Sequence, residues 1–362
     1  MKIGILTFQN AINYGAILQA YALQKKISTL DEDYTVEIID YKQRQLEKQY
    51  SPFFIEKDSN IKNKIRFLLY FVVKYKKFSK FNKFISQNLN FSKKIKTGKD
   101  IDHYDVIFVG SDQVWNLEIT DNDTTFLLDF VKKNSNTKKV SYAASVGKNH
   151  LLEAEVGHFK KWLPTFNGIS VREENAIEIV SPYTSLPIYE VLDPTLLLEK
   201  KQWLKLVNNE NKEGDYILVY CLESNTEMDK IIDFMSKKMN LKVLEIMPRG
   251  NSLLNRIYPK NIYGPQDFLR LFYNAKYIIT NSFHGTVFSI IFEKKFITVP
   301  HKTRGSRMKN LLTKTGLTSR LVSTFNENEI ESLLDEPNFI DCNKYLNEKR
   351  NFSEKFIKDN LI

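Results

Sequence analysis

The segment from Asn281 to Thr286, Asn-Ser-Phe-His-Gly-Thr, contains residue types suited to acid–base chemistry and to anion binding. Asn281 or Ser282 is a good helix N-cap, and the residues that follow predict a helix. The start of a helix carries unpaired N–H groups and a partial positive charge, so it suits a carboxylate or a phosphate. His284 would lie in the first turn as a proton carrier near neutral pH, and Gly285 would let a ligand approach the backbone. The alternative is a histidine that only completes the helix cap.

Two further motifs favour anion binding. In Asn13-Tyr14-Gly15-Ala16, Asn13 and Gly15 open a helix, and the glycine permits close approach of an anionic ligand. In Ser170-Val171-Arg172-Glu173-Glu174, Arg172 ends an apolar run, and a guanidinium suits bidentate binding of a carboxylate or phosphate. The alternative for this arginine is a salt bridge to one of the two following glutamates, without a ligand.

Two polar segments complete the candidate site. Between Gly110 and Asn116, a carboxylate, an amide and an aromatic ring occur together, a combination common in sugar binding. They belong to Asp112, Gln113 and Trp115, although this tryptophan is more typical of a core. A later basic loop could give the site a positive lining, or it could be a flexible solvated loop. Its cations are Lys302, Arg304 and Arg307.

Several kinds of site are disfavoured. The chain lacks G-x-G-x-x-G and G-x-x-x-x-G-K-[ST], so a nicotinamide enzyme and P-loop chemistry are not expected. No cluster of His, Asp or Glu shows metal-ligand spacing, so we expect neither a metal nor another cofactor.

Short apolar strands alternate with helical patterns, which predicts an α/β architecture with parallel sheets. The predicted strands are Lys2–Phe8, Tyr34–Tyr41, Tyr104–Gly110, Lys139–Ala143, Gly168–Val171, Tyr216–Cys221, Lys242–Met247, Tyr277–Thr280 and Phe296–Val299. The predicted helices are Tyr14–Ser28, Glu227–Met239, Pro265–Tyr273, Phe283–Phe292, Ser306–Thr315 and Asn343–Lys358.

The alternation pauses across residues 181–212, which predicts a domain boundary there. Every polar motif follows a predicted strand, and in open α/β sheets ligands bind outside the carboxyl ends of the strands. Two such domains with facing strand ends would therefore gather all these residues in one cleft.

Length and composition limit the class of protein. The chain has 362 residues, which suggests two domains, and its 42% hydrophobic and 27% charged residues are ordinary for a globular protein. Two cysteines are too few for a disulfide framework or a structural zinc site. The first residues read as a strand rather than a signal peptide, and no apolar run is long enough to cross a membrane. We therefore expect a cytoplasmic protein.

The net charge of +10 is concentrated in one segment. Residues 57–99 contain 13 Lys or Arg and one acid, with apolar residues at helical spacing. This basic helical insert could pack its apolar side on the first domain and leave its lysines solvated. Alternatively, it could attach the protein to anionic lipid head groups at the inner membrane surface, or to an acidic lipid-linked glycan. Nucleic acid is a weaker alternative, because no reading motif accompanies the lysines.

Six stretches, in this order, resemble the polysaccharide pyruvyl transferase family. They are Asn13–Tyr21, Asp105–Asn116, Ser141–Ser145, Ile169–Glu173, Leu192–Thr195 and Asn281–Gly285. The resemblance covers residues 1–320, outside the basic insert. It implies a GT-B-like fold with two Rossmann-like domains facing a central cleft, at residues 1–195 and 196–340, and a last helix at 341–362 that returns to the first domain.

The resemblance also implies an activity. Phosphoenolpyruvate would donate its enolpyruvyl skeleton to two hydroxyls of a capsule or other exopolysaccharide, or of its lipid-linked precursor, giving a pyruvate ketal. By similarity, His284 and Arg172 fall at the positions that contact phosphoenolpyruvate, whereas Ser282 stands where some members carry an arginine. As an acid–base group, His284 is also the candidate catalytic residue for the proton transfer. The candidate substrate contacts are Arg172, Ser282, Phe283, Gly285, Asn13, Gly15, Asp112, Gln113, Lys302, Arg304 and Arg307.

Two other functions remain open from the sequence. A GT-B glycosyltransferase that uses a nucleotide sugar would share the fold, and fold alone cannot separate the two enzymes. A non-catalytic protein that binds surfaces through its basic insert would leave the six motifs without a role.

Overall fold

The computed structural model describes residues 1–9, 11–50, 61–132, 135–207, 212–247, 262–300 and 305–362. The chain divides into two compact units. Unit 1 comprises Met1–Phe54, Asn82–Leu198 and Lys349–Ile362, and unit 2 comprises Ile55–Phe81 and Glu199–Glu348.

Unit 1 contains a six-stranded sheet in the order β2-β1-β3-β4-β5-β6, with every pair parallel. Its strands are β1 (Lys2–Leu6), β2 (Thr35–Ile38), β3 (Val106–Val109), β4 (Lys138–Ala144), β5 (Gly168–Val171) and β6 (Ile188–Glu190). The helices are α1 (Tyr14–Ser28), α2 (Arg44–Tyr50), α4 (Glu153–Trp162), α5 (Glu174–Val180) and α6 (Pro194–Leu197). A further helix, α3 (Ile61–Asn88), precedes β3.

Unit 2 contains a four-stranded parallel sheet in the order β10-β9-β7-β8. Its strands are β7 (Tyr216–Tyr220), β8 (Lys242–Glu245), β9 (Tyr277–Thr280) and β10 (Phe296–Thr298). The helices are α7 (Lys200–Leu204), α8 (Thr226–Met239), α9 (Pro265–Asn274), α10 (Phe283–Ile291), α11 (Gly305–Lys314) and α12 (Glu327–Ser332). The last helix, α13 (Ile340–Asp359), groups with unit 2 up to Glu348 and with unit 1 from Lys349 onward.

Each sheet is the centre of its own hydrophobic core, as expected for parallel strands that are covered on both faces. In unit 1 the indole of Trp115 is fully buried and meets Phe159 and Phe166 edge to face, each at 6.1 Å between ring centroids. The indole N–H donates to the carbonyl of Phe126 at 3.2 Å. The assignment of this tryptophan to the core is therefore confirmed. The core of unit 2 joins β7 and β9 to the buried face of α8.

The predicted alternation of strands and helices is confirmed, and the strands predicted at Gly168–Val171 and Tyr277–Thr280 have those bounds in the structure. The basic insert was placed in the first domain, and this has to be corrected in part, because α3 up to Phe81 groups with unit 2. The contacts explain why. The ammonium of Lys80 lies 2.8 Å from the carboxylate of Asp267 in α9. Lys80 also packs against Gly264, where a side-chain Cβ in place of the glycine hydrogen would come within 2.9 Å of Lys80 Cβ. Residues 57–60 lie outside the described part of the chain.

Candidate active site

In unit 1, five polar side chains gather at the carboxyl end of the six-stranded sheet, and we call them the arginine cluster. Each follows a strand: β3, β4, β5 or β6. The cluster consists of Asp112, Ser145, Arg172, Glu173 and Asp193.

Arg172 is the centre of this cluster, and its side chain is only 2% exposed. Its Nε donates to Glu173 Oε2 at 3.3 Å, and its Nη1 donates to Asp193 Oδ2 at 3.1 Å. Asp112 Oδ1 lies 3.9 Å from Nη2. The salt bridge to Glu173, which the sequence left as an alternative to ligand binding, is therefore present.

The charges of the arginine cluster do not favour a further anion. Burial alone would lower the pKa of Arg172, but Glu173, Asp193 and Asp112 together raise this pKa above its ordinary value. The guanidinium therefore stays charged, and three carboxylates face one cation. Because like charges within a few ångströms repel strongly at buried sites, a phosphate or carboxylate would be opposed here unless another cation joined it.

Asp193 follows β6 and links Arg172, at the end of β5, to the short helix α6. Its Oδ2 accepts the bond from Arg172, while its Oδ1 accepts from the backbone N–H of Thr195 at 3.0 Å and from the Thr195 hydroxyl at 2.6 Å. Asp193 is thus the N-cap of α6, followed by Pro194 at the first helical position, where proline is favoured. Asp193 was not among the predicted site residues, although it lies in one of the six stretches that resemble the family.

The segment after β3 carries two of the predicted site residues. Asp112 has a positive φ of 72°, and its Oδ1 accepts from the backbone N–H of Gln113 at 2.9 Å. The Asp112 side chain is 20% exposed, so it is the most accessible carboxylate of the arginine cluster. Gln113 Oε1 and Asn116 Oδ1 are buried without a hydrogen-bond partner among the described residues. An unpaired buried acceptor costs free energy, so both oxygens favour a hydrogen-bond donor from outside the protein.

The start of α1 lies at the same edge of the unit 1 sheet. Asn13 is its N-cap, and its Oδ1 accepts from the backbone N–H groups of Gly15 at 2.9 Å and Ala16 at 3.4 Å. These two N–H groups are therefore already engaged. Asn10, three residues before this N-cap, lies outside the described residues.

Gln19 and Thr7 are buried polar residues that sequence reasoning missed. Gln19 Oε1 accepts from the backbone N–H of Ser111 at 3.1 Å, and its Nε2 donates to Thr7 Oγ1 at 2.8 Å. The Thr7 hydroxyl donates in turn to the carbonyl of Ser111 at 3.1 Å. This network fixes the segment that carries Asp112. The signal in the sequence was a glutamine in the middle of an apolar helix, where a buried amide needs partners.

In unit 2, the predicted motif forms the start of α10. Ser282 is the N-cap, and its Oγ accepts from the backbone N–H of Gly285 at 3.3 Å. Gly285 was expected to let a ligand approach the backbone. The structure shows a packing reason for this glycine, because a Cβ at this position would overlap Thr280 Oγ1. Glycine is thus required for packing against β9.

Phe283 and His284 are the half-buried residues of this motif, while their neighbours Ser282 and Gly285 are buried. The two rings meet edge to face with centroids 5.3 Å apart. Arg307, from α11, places its guanidinium over the Phe283 ring, 5.7 Å from the centroid. We call Ser282, Phe283, His284 and Arg307 the histidine cluster. Lys302 and Arg304, the other two predicted cations, lie outside the described residues.

Asn281 connects the start of α10 to the segment that follows β7. Its Oδ1 accepts from the backbone N–H of Leu222 at 2.7 Å, and its Nδ2 donates to the carbonyl of Glu223 at 2.9 Å. Asn281 thus fixes the segment after β7 beside the start of α10. This role was not foreseen, because it depends on β7 and β9 being neighbours in the sheet.

The structure brings the predicted residues together within each unit. Arg172, Asp112 and Gln113 share the end of the six-stranded sheet, and the histidine cluster lies at the end of the four-stranded sheet. Across the described ranges, no group of three His, Cys, Asp or Glu side chains is arranged to hold a metal ion. Among the described helices, none is both long and apolar enough to cross a membrane.

Comparison with known proteins identifies one family. A model of the family described as polysaccharide pyruvyl transferase matches residues 13–303 of the chain. No curated protein sequence gives a significant match.

The solved structures that match the chain are only distantly related to it in sequence. A putative UDP-N-acetylglucosamine 2-epimerase from Listeria monocytogenes is 9% identical, with 99% of this chain and 94% of that chain covered and a TM-score of 0.51. UDP-GlcNAc 2-epimerase from Neisseria meningitidis is 11% identical, with 100% and 99% covered and a TM-score of 0.49. The E. coli heptosyltransferase WaaC is also 11% identical, with 99% and 100% covered and a TM-score of 0.38. At such identities a likeness bears on the fold alone, and the expected GT-B-like α/β class is confirmed.

Proposed function

The chain belongs to the polysaccharide pyruvyl transferase family, and on this premise we propose that phosphoenolpyruvate is its donor. The product would be a cyclic pyruvate ketal on two hydroxyls of a saccharide, within a cell-surface polysaccharide or its lipid-linked precursor. Phosphate would be the second product, and neither a metal nor another cofactor would take part.

The observation that carries this proposal is the histidine cluster. A half-buried imidazole lies in the first turn of α10, and the guanidinium of Arg307 is held against the neighbouring ring of Phe283. A cation and a helix start together suit the carboxylate and phosphate of the donor. The imidazole is a group that can deliver a proton near neutral pH. These are the two requirements of enolpyruvyl chemistry.

The proposed reaction has three steps. His284, in its protonated form, gives a proton to the methylene carbon, which becomes a methyl group, and positive charge develops at the adjacent carbon. One acceptor hydroxyl attacks this carbon and loses its proton, which returns the imidazole to its protonated form. The C–O bond to phosphate then breaks, and the second hydroxyl attacks the same carbon and gives its proton to the departing phosphate. General acid–base catalysis of such transfers contributes typically about 10²–10⁴-fold to the rate.

We assign the arginine cluster a different role. Because Glu173 and Asp193 already bind the guanidinium, Arg172 acts as a positioning residue for the surrounding carboxylates. Asp112 is the member that an approaching hydroxyl reaches most easily. The oxygens of this carboxylate can accept a hydrogen bond from such a hydroxyl.

Incubation with phosphoenolpyruvate and a panel of oligosaccharides, followed by phosphorus NMR and mass spectrometry, tests the donor. We expect phosphate release that depends on the acceptor, and an acceptor mass increase equal to phosphoenolpyruvate minus phosphoric acid. His284→Ala should lose this turnover, and His150→Ala, which removes an exposed histidine of unit 1, should retain it. Acceptor-dependent release of a nucleoside diphosphate from UDP- or ADP-sugars, without reaction of phosphoenolpyruvate, would instead support a glycosyltransferase.

We also propose that α3 attaches the protein to the cytoplasmic face of an anionic membrane, where a lipid-linked acceptor would be found. On its inner side Phe81 and Phe84 are buried. On its outer side Val72 is 55% and Tyr75 is 47% exposed, among exposed lysines. A face of lysines and exposed apolar side chains is typical of helices that lie at membrane surfaces.

Vesicle sedimentation tests this attachment. Binding to vesicles of phosphatidylglycerol and phosphatidylcholine should weaken as salt is added, and vesicles of phosphatidylcholine alone should bind poorly. Each lysine near an anionic surface contributes about 1 kcal/mol, so three charge reversals in α3 should reduce binding at least about 100-fold. Binding that is insensitive to salt or to these changes would contradict the proposal. The variant carries Lys74→Glu, Lys76→Glu and Lys83→Glu, and its matched control carries Lys132→Glu, Lys160→Glu and Lys205→Glu.

A further inference from the structure

A cavity of about 390 Å³ lies within unit 1, at the amino-terminal edge of the six-stranded sheet. Its walls come from the start of β5 at Gly168, from the segment that leads into β6, and from the last turns of α13. Arg172 follows the opposite end of β5, so the length of that strand separates the cavity from the arginine cluster. Its volume is in the range of small-molecule binding sites, about 300–1,000 Å³.

Two aromatic side chains at this cavity are unusually exposed. Tyr189 is 40% and Phe352 is 41% exposed, although the largest aromatic residues of the described chain are buried. The ring of Tyr189 lies 6.1 Å from that of Phe352 and 5.6 Å from that of Phe356, with interplanar angles of 58° and 57°. We call the two exposed rings of Tyr189 and Phe352 the aromatic platform, and Phe356, which is 6% exposed, packs against Tyr189.

The polar groups around the platform are available for a ligand. Lys355 and Asp359 line the cavity one helical turn apart on α13, yet neither side chain forms a hydrogen bond or an ion pair with any residue that the structure describes. The hydroxyl of Tyr189 likewise has no hydrogen-bond partner among those residues. The rim thus offers an ammonium donor, a carboxylate acceptor and a phenol that can do both.

The charges of the lining favour an uncharged ligand. The single lysine is matched by one aspartate, so the cavity carries no excess of positive charge. In addition, the end of α13 that forms one wall is its C-terminal end, which carries a partial negative charge. A phosphate or a nucleotide would therefore be disfavoured.

We propose that the cavity bounded by Tyr189, Phe352, Lys355 and Asp359 is a saccharide-binding site, separate from the site of transfer. The apolar C–H face of a sugar ring fits an aromatic platform, and its hydroxyls fit the unpaired polar groups of the rim. Such a site would hold a neutral stretch of glycan without taking part in the reaction. It goes beyond the proposed function, because binding here needs neither the donor nor turnover.

Saturation-transfer NMR with defined oligosaccharides tests this site directly. The probes are maltohexaose, cellohexaose and chitohexaose, with hexagalacturonic acid as an anionic comparison. We expect at least one neutral hexasaccharide to bind in the absence of donor. Removal of one aromatic ring in Tyr189→Ala or Phe352→Ala should weaken this binding by about 3–10-fold, the range for an aromatic contact. Tyr34→Ala removes a partly exposed tyrosine elsewhere in unit 1 and should leave binding unchanged.

Four outcomes would overturn the assignment: no probe binds, both aromatic variants bind as the parent does, the anionic probe binds best, or light scattering shows a dimer that Tyr189→Ala dissociates.

Two controls separate this proposal from the proposed function. Tyr189→Ala should release phosphate from phosphoenolpyruvate at the parent rate with a disaccharide acceptor, and His284→Ala should bind the neutral hexasaccharide as the parent does. If no phosphate is released by any variant but hexasaccharide binding persists, the donor assignment fails and the saccharide site stands.

Discussion

Replacement of Arg172 by methionine tests whether the arginine cluster is built for stability or for ligand binding. The side chain is 2% exposed and contacts Glu173 and Asp193, whose side chains are 7% and 1% exposed. Methionine fills a similar volume but leaves these carboxylates buried without a cation. Breaking a buried ion pair by removal of one partner costs about 3–5 kcal/mol, because the remaining charge is uncompensated.

This free energy corresponds to a large change in melting temperature. For domains of 150–250 residues, 1 kcal/mol shifts Tm by about 2–4 °C, so Arg172→Met should lower the Tm of unit 1 by about 6–20 °C. Differential scanning calorimetry, with urea unfolding as a second measurement, gives this value. Arg44→Met, at an exposed position in α2, is the matched control and should stay within about 0.5 kcal/mol of the parent.

A double variant identifies the cause of the loss. Arg172→Met combined with Asp193→Asn removes one of the stranded charges, and asparagine still caps α6. Because the two residues are in contact, the double variant should be more stable than the two separate changes would predict by addition. The opposite result would be a free energy of unfolding for Arg172→Met within about 1 kcal/mol of the parent, together with loss of the thermal shift given by phosphoenolpyruvate. In that case the arginine is a ligand contact and our reasoning is wrong.

Three further predictions concern unit 2. His284→Ala should reduce turnover by about 10²–10⁴-fold with little loss of stability, and His284→Gln should retain donor affinity better than turnover in a titration with phosphoenolpyruvate; unchanged turnover would contradict this. Gly285→Ala should lower stability by about 1–3 kcal/mol in urea unfolding, because its methyl group overlaps β9; a stable variant would refute the packing argument. The hydrogen bonds from Arg270 lower the pKa of Glu213, so the pair stabilises the fold above the ordinary glutamate value of 4.5 and loses this effect as the pH falls. The Tm difference between Glu213→Gln and the parent should thus be largest at neutral pH, and a constant difference would exclude the linkage.

Much of the fold was predictable, because buried parallel strands have short, apolar sequences that are easy to recognise. The helix at Tyr14–Ser28 and the strand at Gly168–Val171 have the predicted bounds. The strand Ile188–Glu190 was missed, since it has three residues, lies at the edge of its sheet and is partly exposed. Its apolar pattern is therefore too short and too polar to stand out.

The partners of the site residues were less predictable than the residues themselves. The sequence predicted that Arg172 binds either a ligand or one of the glutamates next to it. In the structure it also binds Asp193, 21 positions away. That contact exists because β5 and β6 are adjacent and end at the same edge of the sheet. Sequence spacing contains no information on such an adjacency when one of the two strands is not recognised.

The Asn-Ser-Phe-His-Gly motif shows how a site can be separated into structural and chemical parts. Asn281 holds the segment after β7, Ser282 caps α10, and Gly285 makes room for β9. Each of these three residues is buried and has a structural task that the contacts fully explain. Phe283 and His284 alone remain half-buried, between the capped helix start and the guanidinium of α11. The motif therefore holds the imidazole of His284 in a fixed position. Substitutions of Asn281, Ser282 or Gly285 should reduce activity mainly by lowering the stability of the fold.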